Sequence, residues 1–334
     1  MISITSASRQ PSRQPWTLER LLHERSVTLG FALDNSSFNT YTSALNSYLT
    51  FCRLHNFPID PTPDTLSFFT VYMSSHINPK SVDSYLSGIC HQLEPHFPDV
   101  RKHRHSVLVV CTVACCKHRF GEPVKHKLPL TSDHLLTILT CLITSPSHDD
   151  LLFLATLFTG FYALLRLGEM TLPDRKKDRV LRKVTMRHSL KVSNVMYSFF
   201  LPSHKGDHTF EGNTIIIKKL PLAADPYAIF LRYLSSRDLL FPLHPYLWLT
   251  SQGLVPTRSW FMSRLRTFLP VEYAGHSMRA GGATSLAEAG VPLDTIQAIG
   301  RWSSEAFRIY IRKNPVLLHA SLSHRPAHLP PEQS

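Results

Sequence analysis

Acidic residues are scarce in this chain. Its 334 residues hold 24 Asp and Glu against 36 Lys and Arg, a formal charge of +12, with only 18% of the chain charged. The excess is therefore a bias toward cations, and its natural partners are polyanions, nucleic acid before an anionic membrane. No CxxC pair occurs among the six cysteines, Cys52, Cys90, Cys111, Cys115, Cys116 and Cys141, all in the first half. With no recognisable signal peptide ahead of them, this usage predicts free thiols in a reducing compartment. Cys111, Cys115, Cys116 and His118 fit the spacing of no common zinc finger and read as small hydrophobic positions. No apolar run reaches bilayer length: the longest, Leu151 to Leu165, has fifteen residues and is bracketed by Asp149, Asp150 and Arg166. It reads as a buried helix, and no membrane partner is expected.

What is present suits about two domains of ordinary size. Residues 1–16, rich in Ser, Arg and Gln with little to bury, read as a disordered basic tail. Residues 17–122 carry a helical pattern, as in Tyr41, Leu45, Leu49 and Cys52, punctuated by Pro58, Pro61, Pro63, Pro79 and Pro98. This predicts an all-α bundle of four or five helices. Its last stretch places Arg101, Lys102, Arg104, Lys117 and Arg119 at its two ends, either a solvated rim or phosphate contacts. Residues 123–130, where Pro123 and Pro129 flank Lys125 and Lys127, read as the linker.

The second half, residues 131–324, opens with a helix from Ser132 and another capped by Ser147, with Asp150 three residues on. Arg166 emerges from that second helix and needs an anion or a carboxylate, since burying it unpaired costs several kcal/mol. Glu169, three residues on, satisfies it internally in the ordinary explanation. A basic stretch, 175–191, then leads to two strand-like segments, NVMYSFFL and NTIIIKKL, joined by a turn that displays Lys205. Such a lysine is ordinarily just solvated. Two further helical segments follow, with Arg258, Arg264 and Arg266 on or beside the second.

Near the C-terminus, His276 and Arg279 stand three apart at the expected start of a helix, where they share a face beside unpaired N–H groups and a positive dipole end. Pro292 suits the first turn of the next helix and Gly300 its C-terminal cap. Ser303 or Ser304 then caps a last helix with Phe307, Tyr310 and Ile311 on one face. An aromatic at that spacing is ordinarily core. A Pro-rich tail, 325–334, ends the chain.

Arg166, Lys205, His276-x-x-Arg279, Trp302 and Tyr310, in this order on helix, hairpin, helix and helix, resemble the tyrosine recombinase (phage integrase-like) family. The wording LPSHKGDHTFEGNT, GHSMRAGGATSLAEAG and IGRWSSEAFRIYIR resembles the versions in fungal mobile elements, including Crypton-like ones. The resemblance is strong over the second half; the N-terminal half matches by position and class only.

The resemblance implies a mainly α fold with a small antiparallel β-sheet: a SAM-like, core-binding DNA clamp followed by a tyrosine recombinase catalytic domain. It implies a metal-independent, topoisomerase IB-like reaction with no cofactor. Arg166 and Arg279 would grip the nonbridging oxygens of the scissile phosphate, and Tyr310 would attack phosphorus to leave a 3′-phosphotyrosine and a 5′-hydroxyl. Lys205 would protonate the leaving oxygen, His276 would assist proton transfer or bond the phosphate, and Trp302 would donate its indole N–H to it. The implied partner is double-stranded DNA, bound as a homo-oligomer, a tetramer on paired sites, in a nucleus. Trp302 to Tyr310 is eight residues, one fewer than is usual in bacterial and phage relatives. This departure keeps a second possibility open, a domesticated DNA-binding protein that no longer cuts. A third is an isolated type IB topoisomerase.

Overall fold

The computed structural model describes residues 14–30, 35–122, 127–204, 207, 211–221 and 223–302. The chain divides into two compact units, Met1–Val124 and Lys125–Ser334. The described part of the first unit holds six helices where four or five were expected: α1 (Leu18–Gly30), α2 (Asn35–His55), α3 (Pro63–Ser74), α4 (Pro79–Leu93), α5 (Val100–Arg104) and α6 (Val107–Arg119). Part of the difference is Ser106, whose hydroxyl accepts the Val109 N–H and starts α6 afresh two residues after α5 ends. Thr62 and Asn78 cap α3 and α4, each followed by proline in the first turn, where a missing N–H costs nothing. Tyr48, Phe51, Phe69, Leu86 and Ile89 form the core of this unit. Of the cysteine cluster read as buried, only Cys116 is buried, whereas Cys111 and Cys115 are exposed; all three are free thiols.

The second unit is mainly helical around a small antiparallel sheet. Its helices are α7 (Ser132–Leu142), α8 (His148–Tyr162), α9 (Pro226–Leu240), α10 (Arg258–Phe268), α11 (Gly275–Glu288) and α12 (Leu293–Gly300). The sheet runs β1 (Lys191–Val192), β2 (Met196–Leu201) and β3 (Asn213–Lys218), in that order. β1 was not expected, since two residues are too few to show an alternation. On β2 and β3, Tyr197 pairs with Ile217 and Phe199 with Ile215, all four buried, while Phe200 and Ile216, on the opposite face, are exposed. Tyr197 stacks on Phe230 of α9 at 3.9 Å and shares a 2.8 Å hydrogen bond with Thr159 of α8. The sheet, α8 and α9 thus close one core.

α8 starts with reciprocal bonds between Ser147 and Asp150: Asp150 N–H to Ser147 Oγ at 3.2 Å and Ser147 N–H to Asp150 Oδ2 at 3.0 Å. Residues Leu151 through Phe161 are all buried, as the unbroken apolar run requires. α11 crosses α8 closely because it carries glycine there. A Cβ on Gly282 would lie 2.1 Å from Phe161 O, and one on Gly281 2.0 Å from Leu130 O. No helix among the described residues is long and apolar enough to cross a membrane.

Candidate active site

The site is built on the turn that follows α8. The chain leaves α8 at Tyr162 and passes through Leu164, which is fully buried and held in the left-handed region at φ 51°. For a branched-Cβ-free but bulky residue this conformation costs about 1–2 kcal/mol, and such outliers collect where surroundings demand them. Its carbonyl accepts two guanidinium bonds, from Arg279 Nη1 at 2.8 Å and from Arg301 Nη2 at 3.2 Å. Arg166 follows two residues later. It stands not on the helix, as the sequence predicts, but at the start of a 3-10 turn, Leu167–Glu169, because the left-handed residue has already ended α8.

Glu169 satisfies Arg166 twice, accepting its backbone N–H at 2.9 Å and its Nη1 at 3.0 Å. The Glu169 side chain is 6% exposed and that of Arg166 24%. The arginine therefore keeps an edge toward solvent while its carboxylate partner is sealed beneath. On its other side the turn borders a cavity of about 210 Å³ lined by Glu169, Thr185 and Trp248. Trp248 Nε1 and Thr185 Oγ1 lie buried there without a protein partner, so ordered water suits the space.

α11 starts against this turn: a Cβ on Gly275 would lie 2.8 Å from Leu167 Cδ2. His276 is exposed on the first turn of α11, and Arg279, one turn on, is 1% exposed. Besides Leu164 O, Arg279 donates through Nη2 to Gly300 O at the end of α12. Its guanidinium lies 4.0 Å from the centre of the Trp302 ring, which covers it. Arg166, Arg279 and Trp302 are thus brought to one place, and His276 stands one turn before Arg279 on α11. Lys205 and Tyr310 lie outside the described residues, as do Ser303 and Ser304.

One residue of this cluster has no place in the sequence reading. α12 does not end in a glycine cap; Arg301 occupies the left-handed cap position, at φ 54° and ψ 45°. Its side chain, 10% exposed, reaches Glu169 Oε2 at 3.4 Å, Ala163 O at 3.5 Å and Ile299 O at 2.9 Å. Burial pushes the Arg301 pKa down, opposed by Glu169 and reinforced by Arg166. The available signal was spacing, since Arg301, unlike Trp302, stands nine residues before Tyr310.

The cations expected at phosphates divide by what they touch. Arg104 and Lys117 both pair with Asp83, at 3.0 and 2.9 Å, and Arg101 pairs with Glu94 at 2.6 Å. The Arg119 guanidinium covers the Phe120 ring, and Lys102 is exposed. In the second unit Arg264 pairs with Asp149 and Asp150, Arg266 donates to the carbonyls of Pro270 and Tyr273, and Lys127 to that of Val271. Arg258 is exposed on the first turn of α10, and Lys125 lies outside the described residues.

No protein-family model and no curated protein matches the sequence. Solved structures do match. XerH site-specific recombinase bound to palindromic difH substrate, a post-cleavage complex, is similar at a TM-score of 0.61 and 13% identity over 86% of this chain and 79% of its own. A lambda integrase dimer bound to a COC′ core site is similar at 0.55 and 13%, over 88% and 95%. The Tn1549 transposon integrase in complex with circular intermediate DNA is similar at 0.52 and 15%, over 84% and 98%. All are tyrosine recombinases, and at such identities the likeness is one of fold.

Proposed function

We propose that this chain is a tyrosine site-specific recombinase, cutting and rejoining double-stranded DNA through a 3′-phosphotyrosine. The observation that carries this is the convergence of Arg166, Arg279 and Trp302 on the Leu164–Glu169 turn, in a chain with the recombinase fold. Guanidinium groups keep their charge at any working pH and match the oxygens of a phosphodiester. In the reaction, the Tyr310 oxygen forms a bond to phosphorus as the bond to the 5′ oxygen breaks. Lys205 gives that oxygen its proton, and His276 assists removal of the tyrosine's. The reverse attack by a 5′-hydroxyl of another strand reseals the DNA with the phosphodiester energy conserved. Arg166 and Arg279 stabilise the charge that develops on the nonbridging oxygens. The chain acts in this proposal as a tetramer on paired sites, encoded by a mobile element and working in a nucleus.

The test uses the full chain and nicked duplexes made from the genomic DNA flanking its gene. The unmodified chain should become covalently attached to DNA, and Tyr310→Phe should lose attachment while binding nearly as tightly. Undiminished attachment in Tyr310→Phe removes that residue from the mechanism.

One observation favours a second reading, a derived DNA-binding protein that no longer cuts. Arg279 is 1% exposed, committed to two backbone carbonyls and covered by Trp302, so a phosphate reaches it only after that arrangement opens. Cleavage that depends on Tyr310 excludes this reading.

A further inference from the structure

We propose that Arg301 is a positioning residue that sets the orientation of Arg166 through Glu169. This inference rests on the reading of Arg166 as a phosphate ligand, and it starts from what Arg301 is not needed for. The end of α12 is already closed by backbone bonds, from Arg301 N–H to Ala298 O at 3.0 Å and from Trp302 N–H to Gln297 O at 3.2 Å. A left-handed cap is the usual place for glycine, and an arginine there is strained. Its presence is accounted for by where the side chain goes.

The side chain goes across the fold to the same carboxylate that holds Arg166. Glu169 Oε1 accepts from Arg166 Nη1 at 3.0 Å, while Oε2 accepts from the Arg166 N–H at 2.9 Å and from Arg301 Nη2 at 3.4 Å. Without Arg301, the Arg166 backbone N–H would be the one fixed donor holding the carboxylate, leaving it a single pivot. Tied also to Arg301, which is itself fixed to the carbonyls of Leu164 and Ile299, it becomes a stationary stop against one edge of the Arg166 guanidinium. The remaining edge of that fork is then aimed rather than free to rotate. Both terminal nitrogens of Arg301 serve protein acceptors, as a positioning role requires, and the salt dependence below separates that role from direct phosphate contact.

The experiment reads the orientation of Arg166 directly. In the full chain with isotope-labelled arginine, the Arg166 guanidinium signal is assigned with Arg166→Lys, and rotation about its Nε–Cζ bond is measured. It should be slow in the unmodified chain and at least tenfold faster in Arg301→Gly, whose glycine suits the left-handed cap. Arg301→Asn, which also tolerates the left-handed cap and cannot span to Glu169, should release Arg166 similarly and serves should Arg301→Gly not fold. On nicked duplexes of flanking DNA, Arg301→Gly should lower the rate of covalent attachment about a hundredfold, the scale of a small misplacement of a reacting group. Its DNA affinity should change less than threefold. Unchanged Arg166 rotation in both variants overturns the proposal. So does a weakened affinity with a shallower salt dependence in Arg301→Gly, which would make Arg301 a direct phosphate contact. Should the unmodified chain attach to no DNA, the cleavage reading fails by itself, and the rotation measurement still decides whether Arg301 positions Arg166.

Discussion

The Arg279 guanidinium lies against the face of the Trp302 ring, 4.0 Å from its centre, and hands one hydrogen bond to the carbonyl of Gly300, two residues before that ring. Gly300 is required there, because a Cβ would lie 1.6 Å from Trp302 Cζ3. The end of α12 therefore acts as a lid over a buried charge, with backbone and aromatic face contributing together.

From this relationship, Trp302→Ala should lower the stability of the second unit by about 3 kcal/mol, the sum of lost aromatic packing and a desolvated cation–π contact. Trp302→Phe keeps a face over Arg279 and should cost about 1 kcal/mol. Calorimetric unfolding of the full chain checks both; equal losses in the two variants would show that the aromatic face contributes nothing.

Gly282→Ala offers a sharper contest between two effects. Replacing a mid-helix glycine by alanine ordinarily gains up to about 1 kcal/mol in helix propensity. Here the new Cβ would meet the backbone oxygen of Phe161 at 2.1 Å, and backbone cannot step aside as a side chain does. Overpacking of this kind costs about 3 kcal/mol, so the net change should be a loss of about 2 kcal/mol. A stabilised variant in urea titration would mean that α11 and α8 are not this close.

Acid should act on the second unit through Asp238. The Arg187 guanidinium, with Arg237 adding to it and burial opposing, holds this carboxyl below the usual carboxylate range. The folded state thus binds the proton more weakly than the unfolded one. The contribution is complete above the unfolded value of about 3.9 and fades as pH falls through the lower folded value. Asp238→Asn should flatten this acid limb. At neutral pH it should cost about 2 kcal/mol, because Arg237, fully buried, loses the carboxylate at 2.8 Å from its Nη1. Parallel pH–stability curves for the two proteins would show that Asp238 is not the titrating group.

On the proposed reading, cations that already have a carboxylate should matter least to DNA affinity. Lys117 and Lys102 are both exposed, but Lys117 shares Asp83 with Arg104. A phosphate contact by Lys102 releases counterions, so Lys102→Met should make the log–log salt slope shallower by about 0.9, and Lys117→Met by less. Fluorescence anisotropy with a labelled duplex at several salt concentrations measures both slopes. The opposite ranking would place the DNA nearer α6 than α5.

Much of this protein was decided within a few residues of chain. Proline and a polar cap start α3 and α4, Ser147 and Asp150 start α8, and strict alternation puts Tyr197 and Phe199 on one face of β2. The spacing of His276 and Arg279 placed them on successive turns of α11, and Glu169 was already visible as a partner three residues from Arg166. These features depend on helical and strand periods, which the sequence carries explicitly. The tertiary structure alone decided what depends on distant pieces meeting. Arg301 reaches Glu169 across 132 residues of chain, Arg279 reaches Leu164 across 115, and Lys117 finds Asp83 across 34. The first two pairings require the close crossing of α11 over α8 and two residues in the left-handed region, Leu164 and Arg301, that no local propensity favours. A side chain's neighbours along the chain are written in its sequence, but the carbonyl or carboxylate that fixes its direction is supplied by packing.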